Sequence, residues 1–387
     1  MDLRFTPQEE AWRKEVVDFI DAELPTELKH GGEPYTDENF EATMAFRRKL
    51  GKRKWIGIGW PKEYGGLGAP IIHQIIFAEE MVYRNAPLDS QAYQVGPAII
   101  VHGSEYLKKK FLAGTADQSI LWCQGFSEPN AGSDLANVQT RAVADGDDFL
   151  ITGQKIWTSS GHRANWMHML TRTDPNAPKH RGITYFVLDM KSPGISVRPL
   201  VNMLGHHHFN EVFFDNVRVP KQNMLGELNR GWYAATTTLD NERSGIRDVA
   251  AARRHFDVAV RVLRERRDLP GLRCDKLILH RLADLRCALQ VARMLAYRVA
   301  SMQLRGLTPN MEASIAKVLA TELQARVCDA ALMATGLYGN LLPGSKHAVA
   351  HGEIPEDRML CIRSTIAAGT SEINRNIIAT RGLGLPR

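Results

Sequence analysis

The spacing of hydrophobic positions changes twice along this chain. To about residue 118 it is helical: Trp12, Val16, Phe19 and Ile20 form one stripe behind Thr6-Pro7-Gln8-Glu9, which has the order of a capping box with proline at the first helical position. The stretch WPKEYGGLGAP (60–70) breaks the pattern. It lacks the G-x-x-x-x-G-K-[ST] spacing and follows no β-run, so it predicts a turn between helices rather than a phosphate loop. From about 119 to 225 short β-rich runs take over: ILWCQGF, TRAVADGDDFLITG, GITYFVLDM, ISVRPL and EVFFDNVRV, broken by Gly, Pro, Asp and Asn, with ADGDD reading as a hairpin turn and TDPNAPKHRG as an exposed loop. Beyond GWYAATTTLDNERSG the chain is rich in Ala, Leu, Arg and Glu and reads as helix to its end. The pattern predicts an α+β protein with an all-α domain over 1–118, a β domain over 119–225 and a helical domain over 226–387.

Composition narrows the class. A length of 387 residues, with 44% hydrophobic and 24% charged positions, fits two or three folded domains and excludes wholesale disorder. No apolar run approaches the ~18 residues that span a bilayer, and the acid-containing start differs from a secretory or transit segment, so a cytoplasmic protein with no membrane role is expected. Cys123, Cys274, Cys287, Cys328 and Cys361 are odd in number and widely spaced, which fits reduced thiols. The net charge of +6 permits an anionic ligand. The arginines from 253 to 267 read as a solvated helix face rather than a nucleic-acid groove. GHHHF (205–209) has no set of ligands at metal spacing around it, so no metal is expected.

The chemistry concentrates in CQGFSEPNAGSDLANVQTRA (123–142) and ITGQKIWTSS (151–160), loops that offer amides and hydroxyls between β-runs. Together with WPKEYGGLG, FNEVFFDNVRVP, LDNERSG and GTSEINRNIIA in this order, they make the chain resemble the acyl-CoA dehydrogenase family over nearly its whole length. The resemblance implies an N-terminal helical domain, a middle β-barrel or sandwich domain and a C-terminal four-helix bundle, with FAD as cofactor and an acyl-CoA as substrate. It implies that Gln124, Phe126 and Ser127 line the flavin, that Trp157 covers the ring and Ser159 bonds near its reactive nitrogen, and that Thr370 and Glu372 contact the cofactor from the last helix. Ser133 would lie at the cofactor and the pantetheine arm, and Asp240 and Arg243 at the substrate.

Desaturation beside a thioester removes an α-proton as a hydride leaves the β-carbon, so a base is required. Many members of the family carry a carboxylate immediately before Gly-Thr-Ser, where this chain has Ala368. A second group places it before an arginine on the helix opening the C-terminal domain, and Glu242-Arg243 fits that pattern. Helical spacing puts Leu239, Glu242, Ile246 and Val249 on one apolar stripe, where burial would raise the carboxyl toward working pH. The family pattern leaves Ala368 a backbone N–H for the thioester oxygen. Electron-transfer flavoprotein is the implied electron acceptor. An acyl-CoA oxidase, another flavin enzyme of this fold, or a non-catalytic DNA-binding member are the alternatives. Where homotetrameric members place a Gln and a Gly-Gly turn for the neighbouring subunit's FAD, this chain has Met333 and Gly336-Leu337. A homodimer or homotetramer and a heterotetramer with a related subunit both remain open.

Overall fold

Thr6 caps the first helix as its sequence predicts. Its hydroxyl accepts from the Glu9 amide at 3.3 Å, and the Glu9 carboxylate accepts from the Thr6 amide at 2.7 Å. The helix so started, α1 (Pro7–Glu23), buries Val16, Phe19 and Ile20, and the half-buried Trp12 donates its indole N–H to the His73 carbonyl at 3.0 Å. This computed structural model describes residues 4–29, 34–240, 245–266 and 268–386. The helices that follow are α2 (Thr26–Lys29), α3 (Phe40–Lys52), α4 (Ile71–Tyr83), α5 (Ser90–His102), α6 (Glu105–Asp117), α7 (Gly231–Asp240), α8 (Ile246–Glu265), α9 (Lys276–Leu304), α10 (Asn310–Thr335), α11 (Glu353–Leu360) and α12 (Ser371–Ile377). The strands are β1 (Trp122–Gly125), β2 (Arg141–Asp145), β3 (Asp148–Lys155), β4 (Trp166–Arg172), β5 (Ile183–Asp189), β6 (Ile195–Val201) and β7 (His207–Pro220). They sort into two compact units, one of residues 1–34, 70–88 and 243–387, the other of 35–69 and 89–242.

In the helical unit α8, α9 and α10 share a core of Val249, Phe256, Leu285, Leu289, Leu323 and Val327. Alongside, α4 carries Glu79, only 2% exposed, whose carboxylate accepts from Arg293 at 2.5 and 3.0 Å and from the Tyr297 hydroxyl at 2.6 Å. A carboxylate buried to that degree is tolerable because a guanidinium and a hydroxyl saturate it. The basic cluster on α8 is only in part the solvated face its composition suggests: Arg261, Arg264 and Arg266 are exposed, while Arg253 and Arg254 are drawn into ion pairs. Arg254 is half-buried and pairs with Glu353 and with Asp357 at 3.6 Å, Arg261 reaches Glu353 at 3.5 Å, and Arg253 reaches Glu79 at 3.9 Å and Asp257 at 3.7 Å. Acids from helices distant in sequence neutralise it.

The expected stripe through Leu239, Glu242, Ile246 and Val249 is corrected as well. Helix α8 begins only after Gly245, whose φ of 71° is left-handed and does not continue an α-helix. Ile246 and Val249 are buried on α8 and Leu239 lies on α7, while Glu242 lies outside the described residues.

The second unit is built on one seven-stranded sheet in the order β1-β4-β2-β3-β7-β6, with β5 on the other side of β4. The ADGDD hairpin forms as expected, pairing Asp145 with Asp148 around Gly146 at φ 63°. β4, absent from the predicted runs, is the most heavily shared strand, parallel to β1, antiparallel to β5 and bridged to β2. The WPKEYGGLGAP segment is the expected turn, and it is anchored by Trp60, which is buried.

Candidate active site

The predicted ring-site residues of the β unit fall on two neighbouring loops. One follows β1 and holds Phe126 and Ser127; the other follows β3 and holds Trp157 and Ser159. Two bonds tie them together: the Ile156 amide donates to the Ser127 carbonyl at 3.0 Å, and the Lys155 ammonium donates to the Phe126 carbonyl at 3.1 Å. Lys155 is fully buried, and its second bond, at 2.7 Å, goes to Glu128. Burial pushes the lysine down to about 8, with Glu128 opposing. Burial also pulls the Glu128 carboxyl upward, but Lys155 and the amides of Gln139 (2.6 Å) and Thr140 (3.0 Å) hold it below its ordinary value. This ion pair fixes the loop that presents Phe126 and Ser127, and the residue patterns gave no hint of it.

Trp157 is the exception to the packing rule for large aromatics. It is 60% exposed and stands in a left-handed conformation, φ 61°, a costly state for a residue with a bulky Cβ substituent. The neighbours that hold it there come from the start of β7. The Thr158 amide donates to the Asn210 carbonyl at 3.0 Å, and Asn210 Nδ2 donates back to the Thr158 carbonyl at 3.0 Å, so Thr158 is clamped on both sides. Asn210 also donates to His162 Nδ1 at 3.2 Å and accepts from His207 Nε2 at 2.8 Å. The two imidazoles stack with centroids 3.9 Å apart. Burial and the neighbouring His207 push His162 below its ordinary value. The Phe209 ring meets the indole edge-on at 5.8 Å. His207 of the GHHHF run, with His162, thus serves as a hydrogen-bonded and stacked support, and no cluster of three metal-binding side chains occurs among the described residues.

Phe126 is buried and Gln124 half-buried. Gln124 Nε2 donates to Gln94 Oε1 at 3.0 Å, and Phe126 lies edge-on to His168 and Tyr185 at 5.6 and 5.7 Å. His168, fully buried on β4, bonds Gln91 Oε1 through Nε2 at 3.1 Å and Tyr185 Oη through Nδ1 at 2.6 Å. Because Gln91 Oε1 can only accept, the proton sits on Nε2, and Nδ1 accepts from the tyrosine. Burial pushes this histidine down to about 3. Ser133 stands apart, exposed beyond the tight turn that pairs Glu128 with Ala131.

In the helical unit, Ala368 (φ 53°) and Gly369 (φ 89°) are two successive left-handed residues before α12. Thr370 caps that helix, accepting from the Ile373 amide at 3.2 Å. Glu372 is exposed, and its own backbone amide and the Thr370 hydroxyl hold its carboxyl below the usual range. Asp240 ends α7, while Glu242 and Arg243 lie outside the described residues.

The β-unit loops fit a flat, electron-poor ring with polar edges. An indole is held away from the core by a strained backbone, half-buried serines stand at 127 and 159, and the Thr158 hydroxyl is buried without a partner among the described residues.

Comparison with known proteins covers the whole chain. Residues 6–119 match "Acyl-CoA dehydrogenase, N-terminal domain", 123–217 the corresponding middle domain and 229–383 the C-terminal domain. Acyl-CoA dehydrogenase FadE29 of Mycobacterium tuberculosis is 35% identical over 100% of this chain and 99% of its own length. Among solved structures, one described as the Tcur3481-Tcur3483 steroid ACAD is 32% identical with a TM-score of 0.90, and the ChsE4-ChsE5 complex of Mycobacterium tuberculosis is 31% identical with a TM-score of 0.89, each match covering 100% of both chains.

Proposed function

This chain belongs to the acyl-CoA dehydrogenase family, and from that premise we propose that it converts an acyl-CoA thioester to the trans-2-enoyl-CoA in the cytoplasm. Electron-transfer flavoprotein is the proposed electron acceptor, and a steroid-derived acyl group is the proposed substrate class; the relative described as a steroid ACAD supports the latter. The observation that carries the reading is the exposed, left-handed Trp157 between Ser127 and Ser159, an arrangement suited to covering a flavin ring and bonding its polar edge.

Gln124, Phe126, Ser127, Trp157 and Ser159 would hold the ring of FAD, and the family pattern also gives Thr370 and Glu372 contacts to the cofactor. Bound there, FAD supplies the two-electron acceptor. Ser133, Asp240 and Arg243 bind the coenzyme A ester. Glu242 takes the α-proton as general base. The Ala368 N–H donates to the thioester oxygen and stabilises the charge that develops there as the proton leaves, which makes the α-carbon more acidic.

The direct test is anaerobic mixing of the flavin-loaded protein with a panel of acyl-CoA thioesters, following loss of the visible flavin absorbance. Steroid side-chain esters should bleach it fastest. Glu242→Gln should stay folded and yellow but react at least about 100-fold more slowly. Bleaching of that variant at the wild-type rate removes Glu242 from the mechanism. Hydrogen peroxide formed without an added acceptor would make the protein an oxidase instead.

For assembly, we propose a heterotetramer with a related subunit. Leu337 is 85% exposed and Met333 is also exposed on the helical unit. These apolar side chains replace the Gln and Gly-Gly turn with which homotetrameric members serve a neighbour's cofactor. The solved ChsE4-ChsE5 and Tcur3481-Tcur3483 relatives, each described with two components, support this reading.

A further inference from the structure

Lys317 reaches out of α10 with its side chain almost entirely buried, 9% exposed, and its ammonium forms hydrogen bonds to main-chain carbonyls: Ser364 O at 2.9 Å and Gly369 O at 2.7 Å. Those carbonyls stand at the entrance and exit of the turn that carries Ala368. Inside the turn, the amides of Ile366 and Ala367 are both taken by the Arg363 carbonyl, at 3.0 and 2.8 Å. The Ala368 amide has no acceptor among the described residues, and Ala368 is exposed.

A turn with alanine in the left-handed region is intrinsically unfavourable, by about 1–2 kcal/mol, so something must hold it. Asn374 holds one side, donating to Gly369 O at 2.9 Å and Thr370 O at 3.0 Å. Lys317 holds the other and bonds the carbonyls at both ends. Its charge sits at a desolvated site, and burial pushes it below its ordinary value against the pull of Asp248, Glu322 and Glu372. A buried cation spent on carbonyls costs more than an apolar residue would, unless the shape of the turn matters.

We infer that Lys317 is a positioning residue that holds the turn from Ser364 to Gly369 in the one shape that leaves the Ala368 N–H free and outward for a ligand carbonyl oxygen. The inference rests on the acyl-CoA dehydrogenase reading, in which that oxygen belongs to the thioester. Removing the ammonium lets the turn relax, so the amide finds an internal or solvent partner and carbonyl polarisation is lost.

The test is Lys317→Met, which keeps the stem and removes the donors, read in three ways. Hydrogen exchange of the amides from 366 to 370 should quicken at least about tenfold, with the middle of α10 unchanged. The C=O stretching frequency of bound enoyl-CoA should move back toward its value in solution. Turnover should fall about 100-fold with KM within about threefold, the pattern of an interaction made in the transition state. Lys317→Arg, which keeps a charge and several donors, should restore part of each effect. If the Met variant fails to fold, Lys317→Gln, able to reach one carbonyl but not both, should show the same three changes at smaller size. Faster exchange with unchanged carbonyl frequency and turnover overturns the role, as does a loss of turnover that only follows loss of flavin. Failure of the dehydrogenation reading would look different: no acyl-CoA ester would bleach the wild-type flavin, the role toward a thioester would fall with it, and the exchange response alone would decide whether Lys317 holds the turn.

Discussion

His168 shows what one buried side chain does to the whole stability profile. Its imidazole, fixed between Gln91 and Tyr185, titrates near 3 in the folded chain and near 6.5 when unfolded. The unfolded state therefore takes up the proton first, and the stability this residue lends is complete above about pH 6.5 and lost progressively as the pH falls toward 3. Between pH 7 and pH 5 the loss amounts to about 2 kcal/mol. Denaturant titrations at the two pH values should show it, and His168→Gln should be weaker at pH 7 but flatter toward acid; an equally steep acid slope in the variant would assign the effect elsewhere. Nothing in the sequence marks His168, since a histidine between two methionines has no pattern that says buried. The same holds for Glu128 and Lys155, which read as ordinary polar positions because each one's partner is 27 residues away. Trp157 was legible for the opposite reason. Its surroundings of serine and threonine gave it a context, and the structure keeps it out of the core.

At the level of elements, periodicity placed the helical stretches at both ends of the chain and the β2–β3 hairpin because amphipathic spacing and turn residues are local signals. It failed at β4, where Met167, His168, Met169, Leu170 and Thr171 are all buried, so the strand has no polar face to alternate with and few β-branched residues. It failed again at Gly245, where helical spacing runs on through a residue whose backbone turns left-handed. Helix α5 offers a cleaner trial of packing against propensity. At Gly96, alanine would gain about 1 kcal/mol of helix propensity, but its Cβ would stand 2.0 Å from Cζ2 of the buried Trp60. The clash dominates, and Gly96→Ala should lose about 1–3 kcal/mol by thermal or chemical unfolding. In a Trp60→Leu background the same change should become neutral or favourable. A cost unchanged by that second substitution would mean that the indole is not the obstacle.

For the whole molecule, the exposed Leu337 and Met333 make the assembly the property most open to measurement. Expressed alone, the chain should purify poor in flavin, and co-expression with its related partner should bring about one FAD per pair through linkage of binding to assembly. A lone chain that elutes as a homo-oligomer with one tightly held FAD per subunit would refute the heteromer. The order in which the chain is made adds a different constraint. The helical unit draws α1 and α4 from the first quarter of the sequence and α8 to α12 from the last part. Glu79 must wait for Arg293, 214 residues later, a delay of about 10 to 40 s at ribosomal speed. Until then α1 and α4 have only each other to pack on, and Glu79 lacks the Arg293 partner it has in the finished fold. The sheet, contiguous from β1 to β7, can close earlier. Ribosome-bound chains should therefore leave the faces of α1 and α4 that meet α8 and α9 open to chaperones until the last part of the chain emerges, and chaperone crosslinking to stalled chains that end before α8 would show it.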